Sequence, residues 1–193
     1  PLTIQAAASY LVTGGLGGLG LHTVRWLVEQ VARHLLVTGR RGLQSVEQQT
    51  LLTELQAQGA TITVAQVDVS DAAGMTQLFA DLADSPYPLR GVIHVAGVIG
   101  YGAIRSLAWA DFVPLLRPKV LGGWLLHRLT AKLPLDFFVC YASGAGIWWA
   151  APLASPPIST RGCVLGASTL SPVADAPDVR WQSRTVDDAF LKA

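Results

Sequence analysis

The stretch Tyr10-Leu-Val-Thr-Gly-Gly-Leu-Gly-Gly-Leu-Gly20 decides the fold. An apolar strand over Ser9–Thr13 runs straight into five glycines within positions 14–20. An amphipathic helix follows over 18–32, with Val24, Leu27, Val28 and Val31 at helical spacing. Glycine lets a chain turn sharply and approach a diphosphate with no Cβ in the way. The helix start then offers unpaired N–H groups and the positive end of its dipole. A glycine turn alone is weak evidence, since ordinary strand–helix turns also use glycine. Between a strand and a helix, within a repeating strand–helix pattern, it predicts a dinucleotide site.

Working outward, further strand-like runs fall at Leu35–Thr38, Thr61–Val67, Gly91–Ala96 and Leu135–Tyr141. Helical periodicity marks 45–58, 71–84 and 107–131. Met75, Leu78, Phe79 and Leu82 share one face of the third helix; Leu121, Trp124, Leu125 and Leu129 share one face of the last. Alternating strands and helices imply right-handed crossovers and a parallel sheet. The expected class is α/β, a Rossmann-type doubly wound parallel sheet of strand order 3-2-1-4-5. Its ligand crevice would lie at the carboxyl ends of the strands.

Composition excludes several functions. The formal net charge is +1 and no Lys/Arg run exceeds a dipeptide, which argues against a nucleic-acid footprint or a polybasic membrane patch. Hydrophobic residues make up 51% of the chain and mean hydropathy is +0.40, yet charges interrupt every apolar run short of a membrane span. A sheet buried on both faces explains this apolarity. Cys140 and Cys163 give neither a disulfide framework nor metal spacing, so a reducing, cytoplasmic setting and no metal are expected. The chain lacks the layout of a signal peptide and opens on Pro1, which suggests a piece of a longer polypeptide.

The candidate binding residues lie at the expected crevice. Thr13, Gly14, Gly18 and Gly20 fit Thr-Gly-x-x-x-Gly-x-Gly, with Gly15, Leu16, Gly17 and Leu19 completing the turn. After the second strand, an acid would accept from a ribose 2′-hydroxyl and repel a 2′-phosphate. The chain instead has Thr38-Gly-Arg-Arg41, and guanidinium pairs bidentately with phosphate, so Arg40, with Arg41 beside it, favours NADPH over NADH. The alternative is a solvated loop arginine. Asp68, followed by Val69, either accepts from an adenine amino group or caps the next helix, for which Ser70 and Asp71 are better placed. Ala96 and Gly97 end the fourth strand, where Gly97 lets backbone pass close to the nicotinamide ribose. His94, in an apolar strand, reads as a satisfied core histidine rather than a catalyst.

Together these segments resemble the short-chain dehydrogenase/reductase superfamily, and within it the catalytic half of ketoreductase domains of modular polyketide synthases. The resemblance covers about residues 8–149 and rests on 10–20, Gly-Val-Ile-His-Val-Ala-Gly (91–97), Arg-Pro-Lys-Val (117–120) and Leu-Asp-Phe-Phe-Val (135–139). It implies NADPH-dependent reduction of a β-ketoacyl chain tethered to an acyl carrier protein, among neighbouring synthase domains. Lys119 matches the family's catalytic lysine and Ser143 its serine. A serine hydroxyl can polarise a ketone, and an ammonium lowers the pKa of a tyrosine acting as general acid. That tyrosine would stand at 156 and an asparagine at 160, where this chain has Pro156 and Thr160; no tyrosine follows Tyr141. Trp148 falls where ketoreductases forming the L-hydroxy product typically carry tryptophan; the other reading is a core aromatic.

The chain changes character after Trp149. Residues 150–193 carry Pro152, Pro156, Pro157, Pro172 and Pro177 and show no sustained apolar period, with at most a helical turn near 187–192. The expected organisation is therefore a dinucleotide-binding region at 1–149 and an irregular tail at 150–193. A shifted reading frame near 150 explains the break best, with natural decay or trimming as alternatives. The flank of the fifth strand would lie open, leaving the isolated chain poorly soluble or marginally stable. Three functions follow: a reductase impaired by its missing acid, a structural pseudo-ketoreductase that at most binds NADP(H), or a free-standing reductase of a small metabolite.

Overall fold

The computed structural model describes residues 3–98, 108–142, 167–169 and 182–184, the last two segments as backbone. Five strands are parallel: β1 (Ser9–Thr13), β2 (His34–Thr38), β3 (Thr61–Ala65), β4 (Leu89–His94) and β5 (Phe137–Tyr141). They lie in the order β3-β2-β1-β4-β5, as the alternating pattern predicts. Between them run α1 (Gly18–Glu29), α2 (Val46–Ala57), α3 (Ala72–Ala83) and a composite helix. The last comprises α4 (Trp109–Leu116), a π-helical turn (Arg117–Gly122) and α5 (Gly123–Thr130).

β1 is central, and all five of its residues are buried. One face of the sheet packs Tyr10, Val12, Leu35, Val37 and Ile93 against Val24, Leu27 and Val28 of α1 and Leu52 and Leu55 of α2. The other packs Leu11, Leu36, Val92 and Phe138 against Met75 of α3 and Leu126 of α5. Burying side chains on both faces accounts for the high apolar content. Gly91 pairs with Tyr10 on one side and Phe137 on the other. The Phe137 ring fills the space a Cβ on Gly91 would need, and stacks on Tyr10 at 5.8 Å between centroids.

Three expectations are corrected. The flank of β5 is not left bare: β6 (Ala167–Thr169) pairs with it antiparallel, and β7 (Gln182–Arg184) pairs antiparallel with β6. Three-residue strands are too short to print a period of two on a sequence, so they are invisible in a proline-rich tail. The apolar face of the last helix is displaced. Leu126 is buried and Leu129 packs beside the same cluster, while Leu121 and Trp124 are 40% and 57% exposed, so the inward stripe is rotated from the expected one. Val31 lies beyond α1 rather than on its inner face. It is 49% exposed with φ of +69°, a left-handed conformation in which glycine is usual. The Val31 and Ala32 amides nonetheless bond back to Val28 and Leu27 at 3.1 and 2.9 Å, closing the helix end.

Candidate functional site

The glycine turn joins β1 to α1 at the carboxyl edge of the sheet. Gly14 has φ of +67°, and a Cβ there would stand 2.6 Å from the Ala96 Cα. At Gly20 a Cβ would strike the Gly14 carbonyl and lie 2.5 Å from the Gly15 Cα. Both positions therefore need glycine so that turn, helix and β4 can meet. Gly18 differs: a Cβ there would meet nothing within 4 Å, so the space beyond the turn is open. Gly17, Gly18 and Leu19 are exposed. Gly17 caps α1 without a side chain, and no acid sits in the first turn, so no carboxylate of this turn competes for the positive helix end. This arrangement fits the diphosphate of a dinucleotide.

Arg40 and Arg41 lie exposed in the loop after β2. The loop is held through its backbone. Gln66 Nε2 donates to the Arg40 carbonyl at 3.4 Å and Gln44 Nε2 to that of Arg41 at 2.6 Å, which leaves the guanidinium groups at the surface. Asp68 Oδ1 accepts from the Ser70 amide at 2.8 Å and hydroxyl at 2.7 Å. Burial opposes its ionisation, but the Ser70 bonds and the charges of Arg40 and Arg117 outweigh it and hold the carboxyl below its usual range. Asp68 does not cap α3; Asp71 does, accepting from the Ala73 amide at 3.1 Å. Val69 is buried, its side chain against Gly122 of the π turn.

β4 ends nearby. His94 is 4% exposed and fully satisfied: Nδ1 lies 2.6 Å from Thr13 Oγ1 and Nε2 lies 3.0 Å from the Pro118 carbonyl. A carbonyl can only accept, so Nε2 carries the proton and Nδ1 accepts from the Thr13 hydroxyl. Burial lowers the His94 pKa, with the Pro118 bond opposing, and so favours this neutral tautomer. The core reading of this histidine holds, and it links β1, β4 and the π turn. Lys119, the next residue after Pro118, is exposed, and a Cβ on the exposed Gly97 would lie 3.6 Å from its Cε. Thr13, Ala96, Gly97, Lys119 and the glycine turn therefore share one edge. Ser143 and Trp148 lie outside the described residues.

Tyr141, the last tyrosine of the chain, does not lie beside Lys119. It packs on the α1 face of the sheet, with its hydroxyl 2.9 Å from Thr23 Oγ1, whereas the helix carrying Lys119 packs on the other face. Burial raises its pKa, the Thr23 bond opposing. Sequence reasoning missed Gln48, whose Nε2 donates to the Leu16 carbonyl in the glycine turn at 2.8 Å. Its signal was available: Ser45-Val-Glu-Gln48 reads as a capping box. Among the described residues no cluster of His, Cys, Asp and Glu could hold a metal ion, and no helix is long and apolar enough to cross a membrane.

Comparison with known proteins converges on one group. A family model described as KR domain matches residues 8–154. The chain is 38% identical over 142 residues to the partially reducing polyketide synthase men1 of Menisporopsis theobromae, covering 74% of this chain and 6% of that protein. It is 38% identical over 144 residues to the pikromycin polyketide synthase component PikAIII of Streptomyces venezuelae, covering 75% and 9%. Among solved structures, an A-type ketoreductase from a modular polyketide synthase superposes with a TM-score of 0.71 at 39% identity, over 75% of this chain and 31% of that one. The chain thus spans a small fraction of the length of these relatives.

Proposed function

This chain belongs to the KR domain family, the ketoreductase domains of polyketide synthases, and from that membership we infer that it binds NADPH at the carboxyl edge of its sheet. The inferred ancestral reaction is reduction of a β-ketoacyl thioester, presented by an acyl carrier protein among neighbouring synthase domains, to the β-hydroxyacyl form. When bound, the nicotinamide dinucleotide supplies the hydride.

The observation that carries the reading is the pairing of two phosphate-directed features. The turn at 14–20 sets the start of α1 beside open space, and the loop after β2 offers two exposed arginines and no acid. Gly97 leaves room beside Lys119, whose ammonium would favour the negative oxygen that develops as the ketone is reduced. Ser143 is assigned the role of orienting that ketone. The final proton has no donor of the family's kind, because Pro156 has none to give and the Tyr141 hydroxyl is engaged on the far face. We therefore assign the chain cofactor binding with weak or absent turnover. The same absence favours a second reading, a structural pseudo-ketoreductase that retains the nucleotide site.

Titration with NADPH and NADH, followed by NADPH oxidation with a β-ketoacyl thioester, tests the assignment. The expected result is tighter binding of NADPH and little oxidation. Equal affinity for both dinucleotides removes the role given to Arg40 and Arg41. Robust oxidation abolished by Lys119→Ala overturns the impaired site and requires another proton donor.

A further inference from the structure

Gln48 occupies the third position of α2 and bonds through both ends of its carboxamide. Oε1 accepts from the Gln44 and Ser45 amides at 2.7 and 3.2 Å, and Nε2 donates to the Leu16 carbonyl at 2.8 Å. Ser45 Oγ in turn accepts from the Gln48 amide at 3.3 Å. The orientation is fixed by its partners, since flipping the amide would set NH2 against two N–H donors and oxygen against a carbonyl. Gln48 is half-buried, and none of its atoms comes within 4 Å of a Cβ placed on Gly18.

Two segments meet at this side chain. Leu16 belongs to the turn assigned to the diphosphate. Gln44, held by Oε1, bonds through its own Nε2 to the carbonyls of Arg41 and Leu43 at 2.6 and 3.0 Å. A chain of side-chain bonds thus runs from the glycine turn through Gln48 and Gln44 to the arginine loop. The Leu16 side chain also packs beneath that loop, where a Cβ on Gly39 would lie 3.2 Å from its Cδ1.

We propose that Gln48 is a positioning residue for cofactor choice: it fixes the separation between the diphosphate turn and the Arg40–Arg41 loop without touching the cofactor. A ligand carrying a 2′-phosphate engages both segments at once, so its affinity depends on their being held at one spacing. A ligand lacking that phosphate does not depend on the loop. Loss of the bridge therefore costs NADPH and spares NADH. The inference rests on the NADPH reading above, and the unsubstituted chain tests that reading separately.

The experiment measures dissociation constants for NADPH, NADH and 2′,5′-ADP in the chain and in Gln48→Ala, Gln48→Met and Gln48→Glu, with thermal unfolding and amide exchange of each without nucleotide. Gln48→Glu keeps the capping acceptor but loses the donor to Leu16. The expected result is NADPH and 2′,5′-ADP binding weakened about tenfold in all three, NADH changed less than about twofold, and unfolding of Gln48→Glu close to that of the parent. Amide exchange at 15–20 and 40–45 should quicken in all three. Equal losses for NADPH and NADH would overturn the proposal, because they would mark general damage to α2. So would a loss confined to Gln48→Glu, which would mark charge repulsion. If the parent binds neither dinucleotide the cofactor reading fails first, and unchanged exchange in the variants would separately remove the bridge.

Discussion

At the amino ends of the strands charged and polar side chains are tied across neighbouring elements, whereas at the carboxyl ends charged side chains and glycine backbone stand exposed beside the tied groups. On the first edge, Arg90 and Asp136 form a two-pronged ion pair at 2.6 and 3.1 Å, and Asp136 also accepts from Gln5 Nε2 at 3.2 Å. Tyr10 Oη accepts from the Gln5 amide at 2.6 Å, and His34 stacks on Tyr87 at 3.3 Å between centroids. On the opposite edge Gly17, Gly18, Arg40, Arg41, Gly97 and Lys119 are exposed. The parallel arrangement causes the asymmetry. It turns the start of each connecting helix, with its free amides, toward one edge only. Stabilising pairs can then be concentrated at one edge, and exposed cations and glycine backbone at the other.

The sharpest way to break this division is Gly20→Ala. Its Cβ would collide with the Gly14 and Gly15 backbone, which should abolish dinucleotide binding and destabilise the fold by roughly 3 kcal/mol. Retained NADPH affinity in calorimetry would show that the outward edge is not the binding edge.

His94 sharpens the contrast as the buried one of the tied groups on the outward edge. His94→Ala strands the Thr13 hydroxyl and the Pro118 carbonyl, and denaturant unfolding should register a loss of about 2 kcal/mol. Its folded pKa lies below the unfolded value of 6.5, so the unfolded state takes up the proton first. Stability is full above about pH 6.5 and declines as pH falls through the lowered folded pKa. Burial shifts His34 in the same direction, so the share due to His94 is the difference between the parent and variant curves. Parallel curves would assign the decline to other groups.

The smallest effect has the opposite sign. Val31 ends α1 at the tied edge with φ of +69° while half exposed. Val31→Gly should raise stability by about 1 kcal/mol, net of the greater freedom of the unfolded chain, and leave NADPH affinity unchanged. A change in affinity would mean that the two edges are not independent.

The parts legible in the sequence are those written locally. The glycine turn, the five parallel strands and the capping role of Asp71 follow from neighbours within a few positions. His94 could be read as a core residue because its strand is apolar, but its partners, Thr13 and Pro118, come from distant elements. The π turn left no local mark; the close approach of Gly122 to Val69 beside it joins two distant elements. β6 is recognisable only by its pairing with β5, and a partner in space leaves no mark on a three-residue segment.

The widened turn at Arg117–Gly122 has a last consequence. A π turn arises when a helix accommodates one residue too many without unwinding, so α4 and α5 form one rod whose halves are indexed to different neighbours. Restoring regular winding there without removing a residue would rotate one half against the other by about 100°. With α5 anchored through Leu126, it is Lys119 that would swing away from Gly97. The surplus residue is thus a vernier: it lets one helix keep its seat in the core while aiming a charge at the crevice.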